Sequence, residues 1–127
     1  LIPLHTGILA LPLVGTVDSY RATQIMETLL EGIAREQADV VIMDITGVPV
    51  VDTAVGNHLL QAARAAELLG ARVILVGISA EIAQTMVQLG ITLSRIVTLA
   101  TLQSGIEYAL NLQGLAIARR QTRPTTP

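Results

Sequence analysis

Asp18-Ser19 and Asp52-Thr53 each set a hydroxyl directly after a carboxylate. Both pairs stand where an apolar run gives way to helical spacing. A hydroxyl beside an acid at a helix start can be an ordinary cap, its oxygen accepting an unpaired backbone N–H. The same position suits a phosphorylation site, because a helix N-terminus offers free N–H groups and a positive dipole end to a phosphate. The stretch Asp44-Ile45-Thr46-Gly47-Val48-Pro49-Val50-Val51-Asp52-Thr53-Ala54-Val55-Gly56-Asn57 is the most informative in the chain. The rest of the sequence favours the phosphorylation reading at Asp52-Thr53, while Ser19 has the same capping alternative and a weaker local context.

Other reactive side chains read as structural. Ser79 and Thr101 open helical segments without an acid before them, so they are expected to be caps alone. Asp44 ends an apolar run, as the phospho-acceptor of a response-regulator receiver domain does. That fold also needs an acidic cluster after its first strand and a Lys after its last. Residues 1–17 hold no acid and the chain holds no Lys, so the receiver reading is rejected. Asp44 is expected instead to accept hydrogen bonds from loop N–H groups. His5 and His58 lie far apart in sequence, and a metal site needs several ligands at suitable spacing, so no metal is expected. There is no G-x-S-x-G elbow, no G-x-G-x-x-G and no G-x-x-x-x-G-K. No acid, base and nucleophile assemble, so the expectation is a protein without catalysis or cofactors.

The elements that must position these hydroxyls follow from periodicity. Leu1–His5 and Ile8–Val14 read as a hairpin joined by Thr6-Gly7, with Pro3 and Pro12 marking a sheet edge or irregularity. A helix is expected over Ser19–Gln37, with Ala22, Ile25, Met26, Leu29, Leu30, Ile33 and Ala34 inward. Val40–Ile45, apolar on both faces until Asp44, reads as a central strand covered on both sides. A second helix is expected over Thr53–Leu69, with Val55, Leu59, Ala62, Ala63, Ala66 and Leu69 inward and Gly70 as its stop. Arg72–Ile78 and Arg95–Leu99 read as strands. A third helix after Ser79 should bury Ile82, Ala83, Met86 and Val87 and stop at Gly90, and a fourth after Thr101 should bury Leu102, Ile106, Ala109 and Leu110. The order ββαβαβαβα implies an α/β fold: a mostly parallel sheet with an N-terminal hairpin and about four helices. Sites in such sheets lie at the carboxyl ends of strands, so Ser19, Thr53 and Ser79 should share one edge. Residues 1–113 then form a single domain, and 114–127 are expected to be a flexible tail.

Composition narrows the function class. Of 127 residues, 51% are hydrophobic, 14% are charged, and the aromatics are Tyr20 and Tyr108 alone. So few charges imply that part of the surface is covered by partners. Net charge is −2 and every basic residue is Arg, without a basic stripe or aromatic platform, which excludes nucleic acid as the expected partner. Cysteine is absent, in keeping with a cytoplasmic protein. The apolar start is broken by Pro3, Gly7, Pro12 and Gly15, so neither a signal segment nor a membrane span is expected. The chain begins at Leu1, and the expectation is a piece of a longer protein.

Topology and the Asp52-Thr53 turn together resemble a STAS domain, the fold shared by sulfate transporters and anti-sigma factor antagonists. The sequence is similar to one branch in particular, the C-terminal domain of RsbR-type stressosome proteins. The stretches Pro12-Leu13-Val14-Gly15-Thr16-Val17-Asp18, Asp44 to Thr53, and Glu81-Ile82-Ala83-Gln84-Thr85 carry the resemblance, with Leu69-Gly70-Ala71 and Thr101-Leu102-Gln103. It implies that Thr53 is the phosphorylated residue opening the second helix. It implies a second such position after Asp18, where the family usually has Thr and this chain has Ser19. It further implies a missing N-terminal sensory domain and a scaffold that co-assembles with a smaller STAS paralogue (RsbS-like). A serine/threonine kinase (RsbT-like) would be bound and then released to start a stress response, and a cognate phosphatase would reset the complex. The expected kinase-docking edge holds Asp18, Asp52 and Asn57, and the expected assembly is a homo-oligomer or larger array. The alternative from another class is the cytoplasmic domain of an anion transporter, which residues upstream of Leu1 would distinguish.

Overall fold

The structure, a computed structural model, describes residues 1–49, 52–88, 90 and 96–122, with backbone alone over 115–122. Its elements are β1 (Ile2–His5), β2 (Ile8–Val14), α1 (Ser19–Glu36), β3 (Val40–Gly47), α2 (Thr53–Leu68), β4 (Arg72–Val76), α3 (Ala80–Gln88), β5 (Val97–Leu99) and α4 (Leu102–Thr122). The strands form one sheet in the order β1-β2-β3-β4-β5. β1 pairs antiparallel with β2, with an irregularity between Pro3 and His5, and every later pair is parallel. The order of elements is the one read from the sequence.

Alternation along the strands builds a core on each side of the sheet. Leu9, Leu11, Leu13, Val41, Met43, Ile45, Val73 and Leu75 face one way and bury the inward stripes of α1, α2 and α3. Ile8, Val40, Ile42, Ile74 and Val76 face the other way and meet Ala109, Leu102, Ile106 and Leu112 of α4. Covered on both sides, β3 buries every residue from Val40 to Met43, as its unbroken apolar run predicts.

Several boundaries and faces differ from expectation. β4 stops at Val76 rather than Ile78, because Gly77 turns the chain at φ +83° and donates its N–H to the Ala100 carbonyl. β3 runs two residues further, to Gly47. Arg95, expected to begin the last strand, lies outside the described residues. Of the inward residues expected in α3, only Ile82 and Met86 are buried, while Ala83 and Val87 face out, Val87 at 79% exposure. A nine-residue helix at the end of its layer buries one stripe and no more. Leu69 and Leu110 are exposed as well, Leu69 because it sits past the end of α2. In α1, Ala34 is exposed and Gly32 is buried in its place, under the side chain of Leu1. α4 continues to Thr122 where a tail was expected from 114. Leu115, Ala116, Ala118, Arg119, Arg120 and Gln121 are good helix formers, so local propensity carries the helix past the point where the apolar stripe fades.

α4 approaches the sheet through Gly105. A Cβ there would lie 2.9 Å from Val76 Cγ1 and 3.2 Å from Ile42 Cγ2, both deep in the core. Gly114, on the same helix, has nothing within 4 Å of an added Cβ. Gly105→Ala should therefore destabilise the fold by about 1–3 kcal/mol through overpacking. Gly114→Ala should stabilise it by up to about 1 kcal/mol through helix propensity. Urea denaturation of both variants beside the parent chain checks the opposite signs.

Candidate functional site

The parallel pairing sends the chain from the carboxyl end of each strand into a helix, so all four helix N-termini gather at one edge of the sheet. Each begins with a side-chain cap. Asp18 Oδ1 accepts the Arg21 N–H at 2.7 Å, and Asp52 Oδ1 accepts the Val55 N–H at 2.8 Å. Ser79 Oγ accepts from the Ile82 N–H and Thr101 Oγ1 from the Ser104 N–H, both at 3.1 Å. Ser79 and Thr101 are thus caps, as their sequence context implies.

At the other two helices the work is divided. The carboxylate caps, and the hydroxyl that follows it stands at the first helical position. Asp18 and Asp52 have extended backbones, at φ −101° and −99°, in keeping with N-cap residues. Ser19 and Thr53 are both exposed, and among the described residues neither hydroxyl has a hydrogen-bond partner. The first two N–H groups of each helix have no i−4 carbonyl inside it, and neither helix carries an acidic residue in its first turn. A hydroxyl exposed at the positive end of a helix dipole stands where an added negative charge is favoured.

The loops bearing these hydroxyls are anchored from below. Val17 and Ala22 flank the α1 cap and enter the same core, the placement of a hydrophobic staple. Val48 does the same for the β3–α2 loop. The two loops touch where the Gly15 N–H meets the Gly47 carbonyl at 2.9 Å. Asp44 Oδ1 accepts from the Thr46 N–H at 2.9 Å and the Thr46 hydroxyl at 2.6 Å, the loop-binding role expected of it. Asn57 is exposed one turn into α2, so Asp18, Asp52 and Asn57 all reach the surface at the first turns of α1 and α2.

Sequence reasoning did not find Arg21 or the exposed apolar side chains beside Ser19. Arg21 Nη1 donates to the Thr16 carbonyl at 2.9 Å, within the turn before Ser19. Val14 and Tyr20 are 67% and 75% exposed on either side of that turn. Apolar residues that interrupt the burial pattern of a strand end or a first helical turn were the available signal. His5 is exposed on β1 and His58 half-buried in α2, and no group of metal-ligating side chains occurs among the described residues.

A model of the STAS domain family matches residues 2–105. The chain is 54% identical over 112 residues to the RsbT co-antagonist protein RsbRA of Bacillus subtilis (strain 168), covering 88% of this chain and 41% of that protein. It is 41% identical over 110 residues to RsbT co-antagonist protein RsbRB of the same organism, covering 87% of this chain and 38% of that protein. The chain therefore spans about two-fifths of the length of these curated relatives. Among solved structures, a single-substitution variant of RsbS from Moorella thermoacetica superposes with a TM-score of 0.71 at 32% identity, covering 82% of this chain and 88% of that one.

Because Asp52 rather than Thr53 holds the α2 cap, the two should respond differently to truncation. Asp52→Ala should cost about 0.5–2 kcal/mol of stability, and Thr53→Ala should stay within about 0.5 kcal/mol of the parent. Chemical denaturation measures both. A larger loss at Thr53 would assign capping to the hydroxyl instead.

Proposed function

This chain belongs to the STAS domain family, and from that premise we propose that it is a phosphorylatable scaffold domain of a bacterial stressosome, acting by partner switching in the cytoplasm. The observation that carries the reading is the pair of hydroxyls, Thr53 and Ser19, that have no hydrogen-bond partner among the described residues, each beside a capping Asp at the same sheet edge. Similarity to RsbT co-antagonist proteins and to an RsbS structure supports RsbT and an RsbS-like STAS scaffold as partners. On this reading the RsbT-like partner is a serine/threonine kinase, and a cognate phosphatase resets the complex. The domain performs no catalysis of its own. Among the described residues no helix is long and apolar enough to cross a membrane.

In this mechanism the kinase transfers the γ-phosphoryl group of ATP to Thr53 Oγ1. An O–P bond forms, the β–γ bridge of ATP breaks to release ADP, and the hydroxyl proton passes to the kinase. The product adds a charge of about −1.5 to −2. The α2 dipole favours that charge by roughly 0.3–1 kcal/mol at an exposed terminus, while Asp52 opposes it. Terms of this size leave the fold intact. Within a desolvated interface the same charge is far more costly, so modification acts on docking. Asp18, Asp52 and Asn57 mark the edge where the kinase would sit.

Incubation with the cognate kinase, followed by phosphopeptide mapping, should place phosphate on Thr53 first and Ser19 second. Phosphate found only elsewhere would refute the assignment. In sedimentation of the full-length protein with its paralogue and kinase, Thr53→Ala should retain the kinase on stimulation and Thr53→Asp should weaken its binding, with the STAS assembly intact in both. Normal release from the Thr53→Ala protein would count against partner switching at this residue.

A further inference from the structure

Arg21 is an unusual occupant of its position. A cation in the first turn of a helix faces the positive end of the dipole, an unfavourable placement. The backbone N–H of Arg21 is taken by the Asp18 cap, but among the described residues no carboxylate lies within ion-pair distance of its guanidinium. The side chain instead folds back to the neutral carbonyl of Thr16, in the turn before the helix. It lies over Gly15, where an added Cβ would stand 3.5 Å from Nη1 and where φ is +83°. Gly15 in turn holds the Gly47 carbonyl, at the root of the loop that leads to Asp52 and Thr53. A charged donor resting on a neutral acceptor is poorly matched, because bonds between two ionised groups are roughly twice as strong as neutral ones.

We propose that Arg21 is a positioning residue, a latch on the Gly15–Asp18 turn, which a phosphate on Ser19 draws off Thr16, loosening that turn and, through the Gly15–Gly47 bond, the Gly47–Val48 segment at the end of β3. The unmodified turn is held by Arg21 on Thr16, Gly15 on Gly47, Val17 in the core and Asp18 at the start of α1. A dianion on the Ser19 hydroxyl stands at the same helix mouth and gives the guanidinium the counter-charge it lacks. Its departure leaves the Thr16 carbonyl to solvent and removes one of these supports. Ser19 then governs how firmly the Gly47–Val48 segment is held. Thr53 cannot act in return, since the first turn of α2 holds no cation.

The proposal rests on Ser19 as a phosphate acceptor, and its test installs phosphoserine at position 19 during translation, so the kinase's own choice of residue does not enter. Amide hydrogen exchange of the 127-residue chain is followed at Gly15 and Val48. Arg21→Gln in the unmodified chain should speed exchange at Gly15 by at least about fivefold, the consequence of one lost charged hydrogen bond. Phosphoserine 19 should produce the same acceleration with Arg21 present and add nothing in the Arg21→Gln background, a non-additivity that a merely structural Arg would not show. Arg35→Gln, on the same helix but paired with Glu36 at its exposed end, should change neither amide. Unchanged exchange in Arg21→Gln would overturn the latch. Equal acceleration by phosphoserine with and without Arg21 would overturn its role in the response.

Discussion

Parallel pairing of β3 with both β2 and β4 is the constraint on which the functional edge depends. Each parallel step requires a crossover, and each crossover returns the chain so that the next helix starts at the same edge as the last. The pairing is held by a strand buried on both faces, where Val41 and Ile42 are fully enclosed by opposite helix layers. Were β3 antiparallel to β2, Ser19 and Thr53 could not stand at one edge, and were it antiparallel to β4, Ser79 would leave that edge. The geometry of the edge is therefore set by apolar residues that never reach it.

At that edge the chemistry comes from a division of labour within two dipeptides. A helix start needs an acceptor for its orphan N–H groups, and a serine or threonine that supplies one is occupied by it. Asp18 and Asp52 take over this task, leaving the neighbouring hydroxyls with no structural duty. Ser79 and Thr101 show the opposite arrangement on the same sheet, where the hydroxyl caps and nothing is left for modification. The contrast explains why four similar helix starts do not make four equivalent sites.

The surface is consistent with a domain that works against others. Val14 and Tyr20 are exposed around the Ser19 turn, and Ile2 and Leu4 along the edge strand. Among the described residues the single ion pair is Arg35–Glu36, on exposed side chains. Exposed pairs of this kind contribute little to stability. Cohesion of the fold therefore comes from aliphatic packing, and the sparse charges are left to influence what docks.

Much was legible in the chain itself. The order of elements, the doubly buried β3 and the caps at Ser79 and Thr101 follow from local rules: side-chain period, β-branched runs, and short polar residues before apolar spacing; that Asp18 and Asp52, and not the hydroxyls beside them, cap α1 and α2 came from the structure. These rules act over one or two turns, so they survive without knowledge of neighbours. Inward faces were legible only where a helix lies over the middle of the sheet. Val55, Leu59 and Ala62 are buried as their spacing implies, whereas Val87, Leu69 and Leu110 have helical spacing and still face solvent. Burial depends on what lies opposite, and spacing carries no record of it. For the same reason Gly32 gave no sign that Leu1 would cover it, nor Gly105 that α4 would press on Val76 and Ile42. The sequence by itself determined which hydroxyls follow an acid at a helix start. Tertiary structure alone decided that the loops carrying them meet through Gly15 and Gly47 and that Arg21 reaches back to Thr16, because the Gly15–Gly47 contact joins residues far apart in the chain and the Arg21 contact depends on how the turn is folded.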